Sequence, residues 1–140
     1  MTTMQRPVFR NIHVTQILRY RLPPAGRVSI LHRVSGALLF LLLPFVIWLF
    51  DVSVTSEISY ERFTSAFLAG IGFVPAWFIK LVTLALIWAY LLHFTAGVRH
   101  LWMDMTHSVS KQQGHSSAIV TLVASLVLTV ALGAKLFGVY

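Results

Sequence analysis

The sequence predicts an all-α membrane protein that crosses the bilayer as three transmembrane helices. Three observations predict it. Hydrophobic residues make up 57% of the 140, and mean hydropathy is +0.79. Only 11% of residues are charged, against about 25% in an ordinary soluble domain, so lipid is the natural solvent. Finally, three apolar runs each reach the roughly 20 residues that a bilayer core requires. A chain of this length forms one compact unit.

Residues 1–27 form a basic arm with Arg6, Arg10, Arg19, Arg21 and Arg27 and no acid. They lack the short apolar core and small-residue cleavage site of a signal peptide. Pro7, Pro23 and Pro24 break any long amphipathic helix of the transit-peptide kind. The expectation is a mature cytoplasmic arm and a bacterial inner membrane. Residues 28–50 are the first span. Pro44 lies inside it, which a membrane helix accommodates with a kink. Residues 51–74 form a loop with Asp51, Glu57 and Glu61 against Arg62 alone, and a short interfacial helix is expected around residues 60–70. Residues 75–103 are the second span, with Pro75 suited to a helix start. Residues 104–117 form a polar loop, and residues 118–138 the third span. A basic arm followed by an acidic loop sets the N-terminus in the cytoplasm and the C-terminus in the periplasm.

The formal net charge of +7 sits near the ends of the apolar runs. That pattern points to topology signals and anionic headgroups of the lipid bilayer, not to nucleic acid. With no cysteine, the chain can hold neither a disulfide nor a thiolate-ligated iron–sulfur cluster. Any redox metal would need histidine or another subunit.

Ionisable groups inside a span are costly, so they are the informative ones. Two clusters stand out. Ser29, His32 and Arg33 are spaced i, i+3, i+4 at the cytoplasmic end of span one, which puts a hydroxyl, an imidazole and a guanidinium on one helical face. They can donate to carbonyl or carboxylate oxygens. The plainer alternative is that Ser29 caps the helix and the other two snorkel to headgroups.

His93 lies within the apolar run of span two, in the stretch Tyr90–His100. A neutral imidazole there suits haem iron. Gly97, one turn on, would let a flat ring approach. His100 lies on the same face but about 10 Å further along the axis, so one helix cannot supply both axial ligands. His32 sits at the membrane edge, and His107 and His115 lie in a loop, so a second ligand would come from a partner. The alternative is a buried histidine bonded to a neighbouring helix.

Lesser features have structural readings. Trp48, Trp77, Trp88 and Trp102 lie mostly near span ends, as an aromatic belt predicts. Asp104 would pair with Arg99 or stop the span, Ser125 and Thr129 would bond between helices, and Lys80 would snorkel.

At the two clusters the sequence resembles a known family. "SILHRVSG" at residues 29–36 and "HFTAGVRHLWMD" at residues 93–104 resemble the cytochrome b556 subunit of succinate dehydrogenase, the larger membrane anchor of bacterial Complex II. The three-span layout and the early Arg6-Pro7 also match. Where many members carry "SPH" after that dipeptide, this chain reads Phe9-Arg10-Asn11-Ile12-His13.

The resemblance implies half of a two-subunit haem-binding bundle, with His93 an axial ligand of haem b. The other ligand would come from a second, smaller anchor subunit. It implies that Ser29, Ile30 and Arg33 line a ubiquinone site, with His32 and Arg33 near the haem propionates and Gly97 and His100 in the pocket. Flavin and iron–sulfur clusters would belong to a flavoprotein subunit and an iron–sulfur subunit, not to this chain. The complex would oxidise succinate in the tricarboxylic acid cycle and reduce ubiquinone in the respiratory chain. The chemistry fits: a serine hydroxyl can donate to a quinone carbonyl, and a guanidinium in a low-dielectric site stabilises negative charge developing there. A fumarate reductase anchor is the near alternative. A non-redox scaffold or transporter subunit is the distant one, and it leaves His93 unexplained. Association of whole complexes into a higher oligomer, such as a trimer, is left open.

Overall fold

The protein is seen as a computed structural model, and the description covers residues 13, 15–16 and 20–139. Arg6-Pro7 and residues 9–12 of the arm lie outside the described residues. From Pro24 onward the described residues form helices α1 (Pro24–Leu41), α2 (Leu43–Val54), α3 (Glu57–Leu68), α4 (Ala76–Thr106) and α5 (Lys111–Leu136). Among the described residues the only extended pairing is a single bridge between Ile71 and Val74.

Helix α1 starts at Pro24, ahead of the apolar run. Proline suits that position because its missing N–H would have no helical partner there. The helix then breaks at Leu42, and α2 leaves it at 55°. Pro44 explains the break: it cannot donate to the Phe40 carbonyl, and its ring crowds that oxygen. The pair α1 and α2 reads as one bent span, and α4 and α5 as two unbroken ones.

Ser56 caps α3 through a reciprocal box with Ser59. This interfacial helix begins three residues before the expected stretch. Gly70 and Gly72 adopt positive φ in the turn before α4, a region open to glycine at no steric cost. Helix α4 has 31 residues and would measure about 46 Å, longer than the roughly 30 Å of a hydrocarbon core. It ends at His107, whose left-handed backbone closes the helix. Helix α5 starts at Lys111 because Ser110 and Gln113 form a capping box, and only its later part is the apolar run.

Helix α4 is central, with α1 and α5 packed on it and on each other. The contact uses small residues. Helix α5 buries Ala118, Thr121, Ser125, Thr129 and Gly133 along one stripe, while α4 buries Ala89, Leu92 and Ala96. Small side chains let backbones approach where lipid offers no hydrophobic drive to associate. Large apolar side chains instead face outward, including Phe40 and Leu68, as a lipid-facing surface requires. Ser125 and Thr129 do not bond between helices. Their hydroxyls donate to the Leu122 and Ser125 carbonyls of α5 itself, at 3.0 and 2.7 Å. A short hydroxyl reaches the preceding turn more easily than a neighbouring helix.

Candidate functional site

The two clusters read from the sequence meet in space. His32 of α1 and His93 of α4 stack with ring centroids 4.1 Å apart. His100, two turns beyond His93 on α4, tilts against the other side of the cluster, 5.4 Å from the His32 ring. His32 therefore bridges the two α4 histidines.

The hydrogen bonding of His93 fixes its chemistry. Its Nδ1 lies 3.0 Å from the backbone carbonyl oxygen of His32. A carbonyl only accepts, so Nδ1 carries the proton and donates. In the neutral ring the lone pair then belongs to Nε2. Nε2 makes no hydrogen bond among the described residues. It is not sealed in either: Thr83 Oγ1 is the only buried, unpartnered side-chain oxygen or nitrogen among them. This is the state of a metal-ligating histidine, whose second nitrogen usually donates to a carbonyl or carboxylate. The donor set thus fits a haem iron at one axial position.

The same geometry gives no second ligand. His32 is stacked on the His93 ring with centroids 4.1 Å apart, which would leave no room for a flat macrocycle between the two. Among the described residues no three or more metal-ligating side chains are arranged so that together they could hold a metal ion.

Ser29, Ile30 and Arg33 all lie within α1. Ser29 is six residues past the cap at Pro23, so helix capping does not account for it. Its hydroxyl has no partner among the described residues, unlike those of Thr95, Thr121 and Thr129, which bond back to their own helices. Ser29 is half-buried, and Ile30 and Arg33 are exposed. Arg33 forms no ion pair among the described residues. A free hydroxyl and a free guanidinium one turn apart can both donate to an incoming oxygen. Gly97 opens onto space in which an added Cβ would meet nothing within 4 Å, so a flat ring could approach there.

Two residues escaped the sequence reading, and a third, Arg99, takes partners other than the expected one. Ser35 is fully buried, and its hydroxyl donates to the same His32 carbonyl at 2.9 Å. Gly36 faces the His93 ring, where an added Cβ would stand 3.0 Å from Cε1. Both sit inside the quoted motif, and their small size one turn after His32 was the available signal. Arg99 is 8% exposed and does not pair with Asp104. Its Nε donates to the Ser117 hydroxyl at 3.0 Å and its Nη2 to the Gly114 carbonyl at 3.1 Å, clasping α4 to α5. Lys80 reaches over the Phe137 ring at 5.8 Å.

Long apolar helices that bring histidines together at their contact define an integral membrane subunit. The comparisons give the family. The model of the succinate dehydrogenase/fumarate reductase transmembrane subunit matches residues 2–132, and the chain belongs to that family. It is 33% identical over 129 residues to a succinate dehydrogenase cytochrome b556 subunit of Coxiella burnetii, covering 92% of this chain and 94% of that one. A subunit of the same name from Paracoccus denitrificans is 31% identical over 111 residues, 79% of this chain and 80% of the relative. Another from Rickettsia felis is 26% identical over 113 residues, 81% and 82% of the two chains. The chain is thus a membrane subunit of an enzyme complex and not a catalyst by itself.

Proposed function

We propose that the chain is the cytochrome b membrane anchor of a bacterial succinate:ubiquinone oxidoreductase. It would bind haem b through His93, with a smaller anchor subunit supplying the other axial ligand. Its N-terminus would lie in the cytoplasm, where the iron–sulfur subunit and, beyond it, the flavoprotein dock. The observation that carries this reading is the His93 ring, held by the His32 carbonyl with Nε2 free, in a chain of this family.

Haem b, when bound, would supply a one-electron redox centre. The His32 carbonyl holds the proton of His93 at Nδ1 and keeps Nε2 available. Ser29 donates a hydrogen bond to one ubiquinone carbonyl, and Arg33 stabilises the negative charge that reduction places on it. Ile30 offers apolar contact on the exposed side of α1. Two electrons and two protons convert ubiquinone to ubiquinol, and the electrons come from succinate, which becomes fumarate. Contacts to the far end of the quinone ring fall to the partner subunits, because Ser29 and Arg33 lie one turn apart on a single helix.

The relatives carry the succinate dehydrogenase name, which favours this direction over fumarate reduction. Deleting the gene tests the anchor role. Succinate oxidation with an artificial dye should leave the membrane fraction and become soluble or be lost. Wild-type activity retained on washed membranes would refute it.

A further inference from the structure

We propose that Ser35 and Gly36 form the seat that positions His93 as a haem ligand: Ser35 holds the imidazole proton in place and Gly36 makes room for the ring. The inference rests on the reading of His93 as an axial ligand.

Ser35 has one hydroxyl proton, and it is given to the His32 carbonyl at 2.9 Å. The lone pairs of Oγ are then left toward His93 Nδ1, 3.3 Å away. The Nδ1 proton therefore lies between two acceptors, the His32 carbonyl at 3.0 Å and the Ser35 hydroxyl. Two acceptors resist ring rotation better than one, and they push electron density toward Nε2. Ser35 is 0% exposed, so water cannot replace its hydroxyl.

Gly36 supplies the other half of the seat. An added Cβ would stand 3.0 Å from His93 Cε1 and 3.3 Å from Nδ1. The His32 ring, stacked at 4.1 Å, limits movement of His93 on another side. A methyl group at position 36 must therefore move the imidazole or part α1 from α4.

The closing experiment uses the whole complex purified in detergent, comparing Ser35→Ala, Ser35→Thr and Gly36→Ala with wild type. Flavin content and dye-linked succinate oxidation report assembly. Haem-to-flavin ratio and the haem midpoint potential report the seat. Ser35→Ala should weaken haem retention about 10- to 100-fold, the usual cost of losing an outer partner of a ligating histidine. Its remaining haem should have a higher midpoint potential, because a less electron-rich ligand favours ferrous iron. Ser35→Thr, which keeps the hydroxyl, should move both values back toward wild type. Gly36→Ala should lower the haem-to-flavin ratio in complexes that still oxidise succinate. Assembled Ser35→Ala and Gly36→Ala complexes with wild-type haem content and potential would overturn the seat. Poor assembly of Ser35→Ala and Gly36→Ala with normal haem in what assembles would also overturn it, since that is the outcome of a structural role alone. A wild-type complex without haem would instead sink the reading of His93 itself.

Discussion

The Nδ1 of His93 and the backbone carbonyl of His32 lie 3.0 Å apart, across the contact between α4 and α1. That one bond fixes a tautomer, joins two helices and ties the histidine in the middle of α4 to the polar end of α1. The two chemical clusters are parts of one site because of it.

The polar end of α1 can be tested separately from the haem. Ser29→Ala and Arg33→Leu should each lower ubiquinone reductase activity at least tenfold, while dye-linked succinate oxidation stays near wild type. Ser29 has no partner in its own helix, so its loss should cost little stability. Normal quinone turnover in both variants would refute the assignment.

The Arg99 clasp makes a stability prediction. Arg99→Leu removes both bonds of the clasp and leaves Ser117 only its longer bond to the Gly114 carbonyl, at 3.4 Å; losing a hydrogen bond to a charged group costs about 1.5–3 kcal/mol. The thermal midpoint of the purified complex should fall. Ser117→Ala removes one of the two bonds and should cost less. Equal stability of Arg99→Leu and wild type would contradict the clasp.

The contact between α4 and α5 gives a third. A Cβ on Gly133 would stand 2.8 Å from Leu84 Cδ1. That atom is the end of a flexible side chain, so Gly133→Ala should be mild. Gly133→Leu should overpack the seam and cost about 1–3 kcal/mol. Adding Leu84→Ala should recover part of the loss, because the two sites are in contact. Additive losses in thermal denaturation would count against this packing.

Much of this architecture was legible in the sequence, for identifiable reasons. The apolar runs of α4 and α5 are long, and hydropathy finds them directly. The starts of α1 and α5 are less visible, because Gly26-Arg27 and the stretch from Lys111 to Ser117 are helical but not apolar. Pro44 announces a bend, while its 55° size is seen only in the structure. Periodicity places Ser29, His32 and Arg33 on neighbouring positions of one helix. It says nothing about register between helices, so the contact of His32 with His93, 61 residues away, could not be read. The roles of Ser35 and Gly36 were hidden for the same reason. Each matters only through what α4 brings against it.

The central claim is that His93 holds a haem. The most direct measurement is the reduced-minus-oxidised absorption spectrum of the purified complex, wild type against His93→Ala, normalised to flavin content. The account predicts a b-type α-band in the wild type that disappears in His93→Ala while dye-linked succinate oxidation persists. An α-band of undiminished intensity in His93→Ala, or a fully assembled wild-type complex with no α-band, would contradict it.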